Sequence, residues 1–470
     1  MFLTNTAHTA ILGKSQALQK YYDPQKIDAL ITQRIRKLTA ENSNVWTSLD
    51  HNRREYLHSF FQYPAMMVPV VQKRIIDIIK QSVPEIQTVI DPFMGSATSL
   101  VACMQNGLDC YGQDINPLSI LIGKTRTGPY YVDVIQEKFK ILVSQIESDR
   151  SNVIEANFKG REKWFKENIS IELSKIVRAI RKEPHIAIRR FYWVNLAETV
   201  RITSNDRTST FKLHARPIDE IEKRNLSAIT EFKDHLQQSI EDLELYKQLL
   251  LKSNQLSKGA YKGQVHMYLQ DSSKNIITPN NSMLFFDLLV TSPPYGDNKT
   301  TVTYGQHSYL PLQWIDLRDI DEKADRELLQ TTMEIDSRSL GGKIRKLDQN
   351  ELDSLFEKSK IFKETYLKLK NKVPDRADKV VTFLKDLFQV IDKIFEVMKP
   401  NSYQVWTIGN RNVGGIEIPN NEILKEFIAY RGGKLVTQIE REILNKRMAK
   451  RNNSSALMNF EDILIFRKIG

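Results

Sequence analysis

The stretch Thr88-Val89-Ile90-Asp91-Pro92-Phe93-Met94-Gly95-Ser96-Ala97-Thr98 decides how this chain folds. Its apolar start reads as a buried strand ending at Asp91, and the glycine turn that follows leads into a helix predicted from about Thr98 to Gln105. Asn106-Gly107 is a helix stop. Leu108 to Gly112 reads as a second strand, and it runs into Gln113-Asp114-Ile115-Asn116-Pro117. Strand, glycine turn, helix, strand and then an acid some twenty residues on is the layout of a nucleoside-binding α/β crossover, in which the acid meets ribose hydroxyls. The other reading of the same layout is an ordinary crossover with turn-forming aspartates. The phosphate-cradling GxGxxG pattern is absent, so an adenosine ligand without a pyrophosphate, such as S-adenosylmethionine, suits the turn better than a dinucleotide.

A second stretch lies about two hundred residues on. Phe285 to Val290 is a short apolar strand that stops at Thr291-Ser292-Pro293-Pro294-Tyr295. Two adjacent prolines cannot continue a central strand, because they have no N–H and a fixed φ. The strand therefore ends in an extended turn with free carbonyls, a serine hydroxyl and an aromatic ring. Such a turn suits a planar base: Ser292 and the Pro293 carbonyl can accept hydrogens of an exocyclic amine, and Tyr295 can stack on the ring. A strand-ending turn with a core tyrosine is the plainer alternative.

The two turns together, with Asp-Ile-Asn-Pro after the second strand, resemble the amino-group DNA methyltransferases, the N4-cytosine and N6-adenine enzymes. The resemblance covers Phe60 to Pro117 and Val265 to Tyr295 by motif, and Ala377 to the end by pattern. It implies an α/β, Rossmann-like methyltransferase fold with a mostly parallel seven-stranded sheet and large, mainly helical insertions. It implies S-adenosylmethionine held by Tyr63, Pro64, Asp91, Pro92, Phe93, Gly95, Ser96, Asp114, Ile115 and Asp271. Asp114 would meet the ribose and Asp271 the adenine amine. It also implies a flipped base held by Ser292, Pro293, Pro294 and Tyr295. In this family a serine before Pro-Pro-Tyr leans towards cytosine and an aspartate towards adenine. The family commonly has a second glycine where this chain has Ala97.

The chain has 470 residues, 68 Lys plus Arg against 57 acidic residues (net +11) and 41% hydrophobic residues. That length suits more than one structural unit, and the basic surplus suits a polyanion such as double-stranded DNA. Cys103 and Cys110 offer no disulfide framework and no metal cluster, and with no signal peptide evident they suggest the cytoplasm. No apolar run is long enough to span a membrane.

The expected organisation is an N-terminal helical extension (1–55) and a catalytic domain (56–124 and 265–470) carrying a loop and helical insertion at 297–375. A target-recognition domain is inserted at 125–264. Leu30 to Leu38 is expected as a helix with Arg34, Arg36 and Lys37 exposed. Phe191-Tyr192-Trp193 among Arg189, Arg190, Arg201, Arg207, Lys212 and Arg216 suits a nucleic-acid surface, with a β-hairpin possible across Ser204 to Arg207; an ordinary helix with a wet hairpin is the alternative. Tyr304, His307 and Tyr309 either touch DNA or pin their loop to the core. Glu351 to Lys372 reads as one charged helix, and Lys446 to Arg451 as a basic loop. The leading function is N4-cytosine methylation of duplex DNA, with a cognate restriction endonuclease as a possible partner. N6-adenine methylation, RNA-base methylation and a catalytically silent DNA-binding protein remain as rivals.

Overall fold

The computed structural model describes residues 23–47, 56–296, 302–443 and 460–470. The Lys446–Arg451 loop lies outside them, as does most of the polar stretch after Gly296. Seven strands make one sheet: β1 Thr88–Asp91, β2 Asp109–Asp114, β3 Val265–Leu269, β4 Phe286–Thr291, β5 Met398–Ile408, β6 Gly433–Glu442 and β7 Phe460–Lys468, in the spatial order β6-β7-β5-β4-β1-β2-β3. The five strands from β5 to β3 pair in parallel, and β7 runs antiparallel to both of its neighbours. The order reverses at β1 and β4, whose C-terminal ends lie side by side, and a parallel sheet opens a ligand crevice at such a switch point.

The period-two alternation of strand side chains separates two cores. Val89, Leu288, Val290 and Ile463 face one of them, while Ile90, Leu289, Trp406 and Leu464 face the other. The first face carries α1 Pro24–Glu41, α2 Pro69–Ser82, α3 Thr98–Met104 and α4 Pro117–Arg126. It also carries α5 Val132–Ser148, α6 Glu167–Arg181, α7 Ile186–Thr203, α8 Ala228–Lys252 and α9 Tyr304–Leu312. Most of the long insertion at 125–264 therefore shares a core with the sheet. The second face carries α10 Gln349–Lys358, α11 Lys360–Lys372, α12 Pro374–Val397 and α13 Asn420–Tyr430.

Three local expectations change. Val200-Arg201-Ile202-Thr203 is the last turn of α7 and not a strand; in the segment 204–216 that follows, a single antiparallel bridge joins Asp206 and Ala215. The charged helix expected over Glu351–Lys372 is two helices, because Ser359 ends α10 and its hydroxyl caps α11 by accepting from the Phe362 N–H (2.9 Å). In α1, Arg36 and Lys37 are exposed as expected, but Arg34 is half-buried and donates to Ser82 Oγ (2.9 Å). The same helix is anchored by buried Asp28, which accepts from Arg467 of β7 (2.9 and 3.0 Å) and from the Tyr403 hydroxyl of β5 (3.0 Å).

Candidate active site

The C-terminal ends of β1, β2, β3 and β4 open on one cavity. The glycine turn after β1 enters it through Pro92, Phe93, Gly95 and Ser96. This turn is tightly held. The Gly95 N–H donates to Asp114 Oδ2 (2.9 Å), and the Asn116 N–H donates to Asp114 Oδ1 (2.8 Å). Gly95 has φ +45, and a Cβ there would come within 3.3 Å of the Tyr63 ring, so the turn requires glycine for both its backbone and its neighbour. From behind, the fully buried Arg126 guanidinium donates to the Ser96 carbonyl, and burial lowers its pKa to about 9.

Ala97 is also left-handed (φ 61, ψ 26), the conformation that glycine adopts without cost. Its methyl belongs to the first core and does not line the cavity. The departure from the family pattern is thus a matter of backbone strain and not of crowding around a ligand.

Of the sequence-derived cofactor residues, Tyr63, Pro64, Pro92, Phe93, Gly95, Ser96, Asp114, Ile115 and Asp271 all line this cavity. Asp91 does not. It is fully buried and accepts from the Phe93 N–H (3.0 Å), from Ser99 Oγ and from Thr291 Oγ1 (2.6 Å). Asp91 therefore ties the glycine turn to the end of β4, one residue before Ser292, and sets the spacing of the two motifs. Burial raises both Asp91 and Asp114 to a pKa of about 6.

Of the four catalytic-turn residues, Ser292 and Pro294 line the cavity, whereas Pro293 and Tyr295 do not. Tyr295 turns towards β7, where its hydroxyl donates to Glu461 Oε1 (3.1 Å) and lies 3.4 Å from Ser292 Oγ. Its carbonyl accepts from Asn420 Nδ2 of α13 (3.3 Å). Burial pushes its phenol well above the ordinary tyrosine range.

The rest of the wall was not singled out from sequence as cofactor-binding. Tyr304 of α9 lines the cavity and stacks on Tyr63 at 5.9 Å. Asp336, in the short helix Glu334–Arg338, also lines it and holds the start of α9 by accepting from the Gly305 (2.9 Å) and Gln306 (3.2 Å) N–H groups. Ser308 of α9 accepts from Asn116 Nδ2 (2.7 Å). The Gln62 peptide, next to Tyr63, is gripped at both ends: its N–H donates to Glu198 Oε2 of α7 (3.2 Å), and its carbonyl pairs with His307 Nε2 of α9 (2.9 Å). His307 and Tyr309 thus pin their helix to the core; burial lowers His307 to about 4, which leaves it neutral and donating to that carbonyl. A short-range signal existed only for Tyr304 and His307, as aromatic residues soon after the Pro-Pro-Tyr turn.

The expected basic and aromatic surface is largely interior. Phe191, Tyr192 and Trp193 are buried; Arg189 forms a two-pronged pair with Asp319 (2.8 and 2.7 Å), and Arg201 pairs with Glu198. Arg207 remains exposed, on a segment that lies against α9 through Phe211 O and Thr303 Oγ1 (2.7 Å) and through the Leu213 N–H and Gln306 Oε1 (3.1 Å).

The lining can be set against S-adenosylmethionine, the cofactor that the resemblance implies. Among the described residues lining it are three carboxylates (Asp114, Asp271 and Asp336) and no lysine or arginine. That lining suits an adenosine with a cationic sulfonium and disfavours a phosphorylated nucleotide.

A switch-point crevice with a glycine turn, an acid after β2 and a polar turn after β4 defines a methyltransferase of the Rossmann-like type. Residues 9–124 match the family model described as DNA methylase, and residues 73–261 match that of the D12 class N6 adenine-specific DNA methyltransferases. The chain is 33% identical over 458 residues to the type II methyltransferase M.MvaI of Kocuria varians, covering 94% of this chain and 97% of that protein. It is 24% identical over 131 residues to the type II methyltransferase M.MjaII of Methanocaldococcus jannaschii, covering 27% and 24% of the two chains. The chain belongs to the DNA amino-methyltransferase family of the N4 and N6 type.

Proposed function

We propose that this protein transfers a methyl group from S-adenosylmethionine to the N4 amine of cytosine in duplex DNA, with the base turned out of the helix. The observation that carries the proposal is that Ser292 and Pro294 line the same cavity as Gly95, Asp114 and Asp271. Donor and acceptor can then meet within one enclosure. Bound there, S-adenosylmethionine supplies an electrophilic methyl on a sulfonium, and the protein's task is placement. Asp114 would take the ribose hydroxyls, with Gly95 and Asn116 fixing its carboxylate. Asp271 would take the adenine amine. Ser292, with the Pro293 carbonyl, would accept hydrogens of the target amine and favour a more tetrahedral nitrogen.

Cytosine is preferred because the residue before Pro-Pro-Tyr is a serine, the family's lean towards that base. Adenine is the second reading, and the match of residues 73–261 to the D12 class favours it. We assign target recognition to the 125–264 insertion, and within it to the 206–216 segment, which lies against α9 and carries exposed Arg207 and His214. A cognate endonuclease would complete a restriction-modification pair. The deciding experiment is transfer of labelled methyl to mixed-sequence duplex DNA, followed by nucleoside digestion and mass identification. N4-methylcytosine is the expected product; N6-methyladenine would keep the mechanism and change the base, and label in RNA alone would remove DNA as the substrate.

A further inference from the structure

From the turn of the Pro-Pro-Tyr motif a line of oxygen atoms leads away from the cavity. Ser292 lines the cavity, its Oγ is 3.4 Å from the Tyr295 hydroxyl, and that hydroxyl donates to Glu461 Oε1 at 3.1 Å. Glu461 sits near the start of β7, with its side chain 19% exposed. We propose that Ser292, Tyr295 and Glu461 form a proton exit path, with Glu461 as the terminal acceptor of the proton that a methylated amine must shed. This inference rests on the amino-methyl transfer proposed above, and holds for either base.

The chemistry requires such an exit. When the amine nitrogen forms its C–N bond, the methyl–sulfur bond breaks and its electron pair stays on sulfur. The nitrogen is then cationic and must lose one proton. Ser292 Oγ takes that proton as its own passes to the Tyr295 oxygen, and the tyrosine's proton passes to the Glu461 carboxylate. Both hydroxyls end as they began, and Glu461 ends protonated and able to release the proton to water. A free tyrosinate has no place in the sequence, since burial holds the phenol well above its ordinary range. Tyr295 can give a proton only as it receives one. The 3.4 Å separation is longer than a settled hydroxyl pair, so a small rotation of Ser292 closes the path, as catalytic contacts do when substrate binds.

Among the described residues, the groups that face Glu461 are few. Arg441 of β6 lies 3.7 Å from its other oxygen. Tyr295 meets it from the turn, and Tyr304 acts on Tyr295 from α9. The neighbouring Asp462 is engaged elsewhere, accepting from Asn421 Nδ2 and Gln438 Nε2 (both 2.6 Å). No other carboxylate among the described residues is hydrogen-bonded to the turn's tyrosine hydroxyl.

The test is single-turnover methyl transfer by the full chain with saturating S-adenosylmethionine and duplex DNA. It compares wild type with Glu461→Gln, Glu461→Ala and Tyr295→Phe. Glutamine keeps an acceptor for the Tyr295 hydroxyl but cannot hold the proton, and phenylalanine keeps the ring but breaks the path. A relay predicts that both Glu461→Gln and Tyr295→Phe slow transfer on the order of a hundredfold. Cofactor binding and melting temperature should stay near wild type. If Glu461→Gln works at the wild-type rate while Glu461→Ala is slow, Glu461 merely holds the ring and the relay is wrong. If wild type itself labels no base, the transfer reading fails, and the relay falls with it.

Discussion

The cavity has two walls of different origin. One is built from the ends of β1, β2, β3 and β4, where Gly95, Asp114, Asp271 and Ser292 stand at fixed distances because the strands beneath them are hydrogen-bonded in register. The other comes from outside the sheet: Tyr63 and Pro64 before α2, Tyr304 on α9, and Asp336 on a short helix. The first is stiff by construction. The second is held by a few side-chain bonds to backbone, with Glu198 and His307 on Gln62 and Asp336 on the start of α9. The sheet wall should therefore set which ligand binds, and the outer wall how tightly it is enclosed.

The largest effect should come from the sheet wall. Asp114→Ala leaves the Gly95 and Asn116 N–H groups without their acceptor and removes the proposed ribose partner. Calorimetry should show S-adenosylmethionine affinity falling roughly a hundredfold, the equivalent of about 3 kcal/mol. An effect smaller than that of any outer-wall variant would invert the comparison.

The outer wall should respond less. His307→Ala strips the Gln62 carbonyl of its partner and should cost about 1–3 kcal/mol of stability in chemical denaturation. Its cofactor affinity should weaken by roughly tenfold, and His307→Gln, which restores a donor, should recover much of both. Recovery by His307→Phe instead would mean that the ring fills space and that the hydrogen bond is incidental.

A pH series sharpens the same division. Asp91 and Asp114 have folded pKa values of about 6, raised by burial above the unfolded aspartate range. Their protonation favours the folded chain, so the stability they contribute is complete below the unfolded pKa and is lost as pH rises through about 6. Cofactor binding should run the opposite way, because the ribose hydroxyls and the sulfonium both favour ionised Asp114. Affinity measured between pH 8 and pH 5 should fall below about 6, and the fall should be absent in Asp114→Asn. The smallest effect belongs to Ala97→Gly. Relief of the left-handed backbone is offset by a freer unfolded chain and a lost buried methyl, so the melting curve should correspond to a change within about 1 kcal/mol.

The two walls also differ in how far the sequence discloses them. The sheet wall is legible because its residues follow short apolar strands: Val89-Ile90 lead into the turn that holds Gly95, and Leu288-Leu289-Val290 into the turn that holds Ser292. The chain from Ala377 to the end is legible only by its overall pattern. What the sequence concealed has physical causes. Helix α7 is buried almost all round between Phe191 and Val200, so it shows no polar face, and its β-branched end mimics a strand. Asp336 lies more than forty residues beyond the turn it faces, and nothing local marks it. The resemblance implies Asp91 as a ligand contact, yet its partners, Ser99 and Thr291, turn it inwards. Tyr295 was expected beside the base, and its direction towards Glu461 depends on β7, 166 residues further on.

Together the two walls are proposed to enclose one S-adenosylmethionine site. Ultraviolet cross-linking of methyl-labelled S-adenosylmethionine to the intact protein, followed by peptide mapping, tests it most directly. The prediction is saturable label, displaced by S-adenosylhomocysteine, in peptides from both walls: one containing Tyr63 and one containing Tyr304 or Asp336. Saturable label confined to peptides outside this cavity, such as the groove between α1 and β6, would contradict it.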